Sequence, residues 1–514
     1  MNRSTSKTLR TAGVLALAAH LAAGAQDAST RQARSDVYGI VNLVPSQALV
    51  VHINATGQAA FEYIGLDYRG HVGYFDGQRV IHPVAPGRTV SFLGALNDGG
   101  ELAFLARALA PGKSLSTTNF QPFRWSAARG LVRLPSLGAN ADSWIPAMNN
   151  GGDIVGASCT TSDAASARAV RWSTANRLAR LRTPAGFGTS YAIDINDGKT
   201  SVGYAEDAAG VAQAMRWDSA NRPTVLGTFG GSGATAMYNN ERGDIAGMID
   251  GGTPDFRAFL WSPGRGLATP GPHTVPVALN EAGEIAGRIV DPAGGVRAFL
   301  YSRARGLLDL HPGSFYLSEV NGLNDSGVSV GIAWPSQGER SAYRWSRTGA
   351  AVDLNTRLLN PPAGLTLFSA LGIAANGDII AESSAGLVLL RWGGGGTDAP
   401  VLGPIQLPDL GLNRPLRLSL SFRDRNLGER HTATVDWGDG LGPQPAAVRE
   451  DHGRGEVSAL HTFTREGDYT ITVRVTDTAG RSTVQYVQNL IRELATPAPV
   501  AARIQPAIVS PAAP

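Results

Sequence analysis

The sequence predicts an all-β chain: a β-propeller of eight, or alternatively seven, four-stranded blades, followed by an immunoglobulin-like β-sandwich. Three observations carry this expectation. A unit of 40 to 52 residues recurs along most of the chain. Each unit holds several short apolar stretches around an Asn-x-x-Gly turn, with an aromatic residue at a set distance downstream. Beyond the last unit the texture changes to long alternating stretches that lack the turn. A repeat in the forties with about four strands per unit is the mark of propeller blades, which bury their faces only against neighbours.

The turn Asn falls at Asn54, Asn97, Asn149, Asn196, Asn240, Asn280 and Asn324, with Ala374 in the eighth place. Three residues later comes Gly57, Gly100, Gly152, Gly243, Gly283, Gly327 or Gly377, and once Lys199. Asn and Gly both tolerate positive φ, which suits a tight turn between two strands. The downstream aromatics are Phe75, Trp125, Trp172, Trp217, Trp261, Tyr301, Trp345 and Trp392; in five units the spacing from Asn is 21 residues. Such residues are expected to fill the space between blades.

Taken in order, residues 1–25 read as a signal peptide: Arg3, Lys7 and Arg10, an apolar run from Ala12 to Ala23, and a small-residue cleavage site at Ala23-Gly24-Ala25. Residues 26–36 read as a flexible linker, and residues 37–396 as the propeller. Tyr38-Gly39-Ile40-Val41-Asn42-Leu43-Val44 is a strand without a unit of its own, and the last unit runs into Gly393–Gly396 without a fourth strand. The first would complete the second and close the ring, leaving no exposed edge. Two units carry long insertions, through Pro111–Asn119 and through Asn355–Pro362; insertions often lie on a binding face, but plain loop drift is the favoured reading of both.

Residues 397–494 read as the sandwich, since Leu416–Phe422 and Tyr469–Val475 alternate with period two. Residues 495–514 are rich in Ala and Pro and are expected to be disordered.

Composition narrows the function. The chain has 45 Lys and Arg against 42 Asp and Glu, and removing residues 1–25 takes away three cations, so the mature chain is formally neutral. That removes the electrostatic argument for nucleic acid. No later stretch is long and apolar enough for a membrane span. Cys159 is the single cysteine, so no internal disulfide forms, and it is expected to be a buried, inert thiol.

The units resemble the HAF repeat of bacterial extracellular proteins over about residues 38–392, most closely at Asn240–Ser262 and Asn280–Ser302. Val352-Asp353-Leu354-Asn355 and Gly364–Ala370 resemble the last repeat of such chains. The family's His before Ala-Phe survives only as His71, with Arg257 and Arg297 holding that place elsewhere. This resemblance implies an extracellular setting and no particular chemistry. The second region, about residues 400–490, resembles a PKD domain through Val435-Asp436-Trp437-Gly438-Asp439-Gly440, His461-Thr462-Phe463, Gly467-Asp468-Tyr469-Thr470 and Val475-Thr476-Asp477. It implies a spacer or weak binding module, with Trp437 and Tyr469 in its core and Gly438 and Gly440 in a tight turn.

No nucleophile elbow, P-loop, zinc motif or EF-hand loop is present, and the nine histidines are scattered. Asp436 and Asp439 supply too few oxygens for a calcium assignment. Glu101, Asp153, Asp244, Glu284 and Asp378 recur just after the turn Gly. Sugar hydrolysis needs a facing carboxylate pair, whereas periodic placement predicts a shared turn-capping or solvent-facing role. The expectation is therefore a secreted, monomeric, non-catalytic protein with no catalytic residue and no cofactor. Its propeller would bind an extracellular glycan or protein, with the sandwich as spacer. The alternatives are a glycan-acting hydrolase or lyase on the propeller and a structural envelope component.

Overall fold

The computed structural model describes residues 37–491, apart from short internal stretches such as 109–119, 393–399 and 425–429. The expected signal peptide, linker and C-terminal tail, and the insertion Pro111–Asn119, lie outside the described residues.

The repeat period becomes eight four-stranded antiparallel sheets, as expected. The sixth shows the plan: Thr274–Leu279, Glu284–Val290, Val296–Ser302 and Gly306–Asp309 form a simple meander, with the first strand innermost. Because each strand reverses direction, the first and third turns of every blade share one face of the ring. The eighth blade has three strands of its own, Leu367–Ile373, Ile379–Ser383 and Gly386–Trp392. Tyr38–Val44 pairs antiparallel with Gly386–Trp392 and supplies the fourth. Tyr38 meets Trp392 edge to face at 5.0 Å, and the Arg344 guanidinium of blade seven lies 4.7 Å over the Trp392 ring. The chain thus closes into a ring from its two ends.

Between blades the core is continuous. Trp172, Trp217, Trp345 and Phe75 are almost fully buried, as fillers must be. Trp261 departs from the expectation: it is only partly buried, against the apolar cluster of blades four and five. Phe229 packs against Phe259 with the rings tilted at 4.8 Å in that cluster and supplies aromatic area there.

The C-terminal region is a sandwich of seven strands, with Trp437, Leu418, Val457, Ile471 and Val473 in its core. Trp437 is fully buried, Tyr469 packs at the core's edge, and Gly438 and Gly440 take φ of 75° and 87°. The spacer expectation meets a different arrangement. Val484 and Tyr486, on the last strand Ser482–Ile491, are buried among Leu43, Val44, Phe61 and Phe75 of the ring. Polar contacts frame this apolar seam: Asn42 to Gln485 at 2.7 Å, His82 to Thr470 at 2.6 Å, and Arg79 to Asp436 at 3.6 Å. The physical reason is that the outward face of the last strand carries apolar side chains, which gain by leaving water. The sandwich is docked on the side of the ring over its closing strand.

Candidate functional site

The face that carries the Asn-x-x-Gly turns holds two hydrogen-bond rings that pass from blade to blade, each open at blade eight, where Ala374 and Ala375 stand. In the inner ring each Asn side chain has two tasks. Its Oδ1 accepts the N–H four residues on, as Glu284 N to Asn280 at 2.8 Å. Its Nδ2 donates to the main-chain carbonyl of the next turn: Asn54 to Asn97, Asn97 to Asn149, Asn149 to Asn196, Asn196 to Asn240, Asn240 to Asn280, Asn280 to Asn324, and Asn324 to Ala374, at 3.0 to 3.4 Å. The expected reason for Asn, positive φ, is corrected. The Gly position alone takes it, from Gly57 at 79° to Gly377 at 90°, and Lys199 takes 61° in its place. Asn is needed because it satisfies buried backbone groups in two blades at once.

In the second ring, the residue after Asn uses its side chain to accept an N–H from the preceding blade. Ala55 donates to Asp98 at 2.8 Å, Asp98 to Asn150 at 3.0 Å, Asn150 to Asp197 at 2.7 Å, Asp197 to Glu241 at 2.6 Å, and Glu281 to Asp325 at 2.9 Å. Sequence reasoning missed this ring, although an acid or amide at that place in six units was its signal. Burial raises the Glu281 pKa, with Asp325 and Glu241 adding to the shift and an N–H of Glu241 and the charge of Arg242 opposing it.

The recurrent carboxylates after the turn Gly are not solvent-facing as a group, which corrects half of the expectation. Asp153, Glu284 and Asp378 are buried. Two of them brace neighbouring blades, Asp153 pairing with Lys199 at 2.9 Å and Glu284 with Arg347 at 2.7 Å, whereas Glu284 with Arg305 at 3.1 Å and Asp378 with Arg391 at 2.8 Å pair within a blade. Lys199 therefore keeps its strained backbone in exchange for a charge beside Asp153. Glu101 pairs more loosely with Arg129, at 3.7 Å. Among these contacts no two recurrent carboxylates pair with each other; four are held against arginine or lysine, and Asp244 accepts from the side-chain amide of Asn240 at 3.2 Å.

Where blades five, six and seven meet on this face lies a cleft of about 370 Å³. Arg242, Arg265, Arg303, Arg305 and Arg347 line it, with Asp244 and Glu284 as its carboxylates. Arg303 is pinned to the carbonyls of Leu260, at 2.8 Å, and Gly266, while its buried Nε–H has no acceptor among the described residues.

Inside the ring, Asp194 on the innermost strand Phe187–Ile195 accepts N–H groups from Ile195 at 2.9 Å and Asn239 at 2.8 Å. Burial pushes its pKa up to about 6 despite these bonds, with Glu241 adding to the shift. Burial also raises Tyr238 to about 12, with Asp194 adding and Arg288 opposing. On the opposite face, Tyr316 is 72 % and Trp334 42 % exposed, edge to face at 6.2 Å. Phe368 on the neighbouring inner strand lies beneath Arg340 at 5.9 Å.

Cys159 is buried and unpaired, its thiol pushed up by burial although a hydrogen bond from Ser166 opposes the shift. Among the described residues no group of His, Cys, Asp and Glu is arranged to hold a metal ion, and no helix is long and apolar enough to cross a membrane.

Residues 409–489 match the model of the PKD domain. A comparison with curated proteins gives no match. Among solved structures, the chain is similar to the extracellular domain of a proposed one component system from B. thetaiotaomicron, at 9% identity and a TM-score of 0.33, covering 88% of this chain and 68% of that one. It is also similar to Porphyromonas gingivalis dipeptidyl peptidase 4, at 8% identity and a TM-score of 0.41, covering 77% and 66%. The PKD domain of an M14-like peptidase from Thermoplasmatales archaeon SCGC AB-540-F20 aligns at 18% identity and a TM-score of 0.14, covering 19% of this chain and 97% of that domain.

Proposed function

We propose that this is a non-catalytic extracellular or cell-surface binding protein whose ring presents the ligand surface. One observation carries the reading. The aromatics of the repeat are mostly buried between blades, whereas Tyr316 and Trp334 fall outside the repeat's aromatic position and stand exposed together on a ring face. Exposed aromatic area of this kind serves recognition, because it offers large contact at low entropic cost. The PKD match at residues 409–489 and the resemblance of the units to HAF repeats support an extracellular setting, as does the apolar run read as a signal peptide. The test is a glycan array and a peptidoglycan pull-down with the secreted chain, repeated with Tyr316→Ala/Trp334→Ala. Binding that the double variant loses supports the reading; binding unchanged in the variant removes the aromatic face from it.

A hydrolase is the second reading, and Asp194 is the observation that favours it. A carboxyl pushed to about 6 keeps both protonation states within reach at mildly acidic pH, which suits a general acid or base. Turnover of a broad glycan and peptide panel, abolished by Asp194→Asn, would favour catalysis over binding.

A further inference from the structure

We propose that the arginine cleft between blades five, six and seven binds an acidic sugar unit of a polysaccharide, one carrying a carboxylate or sulfate. The assignment rests on the reading of the ring as an extracellular binding module and names a ligand class for its turn face.

The repeat supplies its own control for which arginines are scaffold. Two residues after the turn Asn, the units hold Thr56, Gly99, Gly151, Gly198, Ala282, Ser326 and Asn376, but blade five holds Arg242. Two residues after the blade aromatic, they hold Gly77, Ala127, Thr174, Ser219, Pro263 and Gly394, but blades six and seven hold Arg303 and Arg347. All three departures open onto the same cleft. A blade closes at these positions without arginine in every other unit, so the fold does not require them there.

The charges are also unevenly spent. Arg305 and Arg347 share the buried Glu284. Arg265 occupies the turn place that Arg305 has in blade six, but its blade carries Asp244 where blade six has Glu284. The shorter carboxylate leaves Arg265 without an ion pair among the described residues. Arg242 is exposed, and Arg303 keeps an unsatisfied Nε–H. Five guanidiniums against two carboxylates leave an excess of positive charge in a cleft of about 370 Å³, room for one or two sugar rings.

Guanidinium recognises a carboxylate or sulfate by paired N–H donors. Asp244, Glu284, Ser262 and Ser302 add acceptors along the same walls, which suit the hydroxyls of a sugar. The lining offers no aromatic ring for a base to stack on.

The experiment measures binding of the secreted chain to polygalacturonate and to dextran sulfate at low ionic strength, with uncharged dextran and single-stranded DNA as controls. The two acidic polymers separate a carboxylate from a sulfate as the preferred group. The expected result is binding of at least one acidic polymer, weakening with salt, and about a tenfold loss in Arg242→Ala/Arg265→Ala. Both residues are exposed, and an unchanged melting curve confirms that the variant folds. Arg417→Ala/Arg449→Ala, on the exposed sandwich surface, should bind as the wild type does. No binding of either acidic polymer, equal binding of dextran or DNA, or equal loss in the sandwich variant overturns the assignment. Dextran binding alone would keep the ring as a binding protein while removing this site.

Discussion

His82 and His431 show how single side chains couple this molecule to pH in opposite directions. The His82 residue is largely exposed, but its ring is held in the seam, with Tyr63 at 3.3 Å on one nitrogen and Thr470 at 2.6 Å on the other. Those ring surroundings govern its titration: burial lowers its pKa to about 4, and the charge of His71 adds to the shift. A lowered folded pKa means the neutral ring is favoured when docked. Its contribution is full above the ordinary value of 6.5 and is lost as pH falls towards 4. His431 sits between Asp424 at 2.8 Å and Glu450 at 2.6 Å. Burial would lower its pKa, but hydrogen bonds and charges from both carboxylates overcome this and raise it. Its contribution is present below 6.5 and fades as pH rises through the raised value. We therefore expect the contact between sandwich and ring to loosen between pH 6.5 and 4, and His82→Gln to flatten that response. Hydrogen exchange across Val484–Tyr486 as a function of pH measures it; an equal response in the variant would place the acid sensitivity elsewhere. Neither role was legible beforehand, because scattered histidines acquire partners only when strands distant in sequence meet.

At the scale of the element, the blade aromatics do not carry equal loads. Trp172 and Trp217 are fully buried, and their indole N–H groups donate to the carbonyls of Pro135 and Arg182, each at 2.7 Å. Trp261 holds the equivalent place in blade five but is only partly buried. Replacing Trp217 by Ala should cost about 3–5 kcal/mol through lost burial and a cavity. Trp261→Ala should cost less, about 1–2 kcal/mol, since part of its area already faces water. Urea midpoints of the two variants decide this, and equal shifts would show that the shared position dictates the load. The spacing of Asn, Gly and aromatic made the blade count and the closing strand legible, because each is a local pattern of turn and apolar residue. Solvent exposure at one repeat position was not legible: it depends on what the neighbouring blade supplies, here Phe229 against Phe259.

On the scale of the whole molecule, the ring is joined at one place, and the sandwich covers it. Both halves of this arrangement were partly visible in the sequence: Tyr38–Val44 as the strand expected to complete the last unit, and the alternation of the sandwich strands. Their contact was not, because an alternating strand shows which residues share a face but not whether that face meets water or another domain. Tyr486 is 4 % exposed, against Leu43, Val44 and Phe75, and burial raises its hydroxyl pKa strongly. Asn42 of the closing strand bonds Gln485 beside it. If the sandwich serves as a clasp, Tyr486→Ala should remove about 3 kcal/mol, by analogy with other large buried aromatics. The loss should fall selectively on the junction. Amide exchange of Tyr38–Val44 and Gly386–Trp392 should quicken, while that of the distant blade Gly233–Asn239 and Ile245–Asp250 stays as in the wild type. A spacer would behave otherwise: the variant would disturb only the sandwich, and the closing strand would exchange at its original rate.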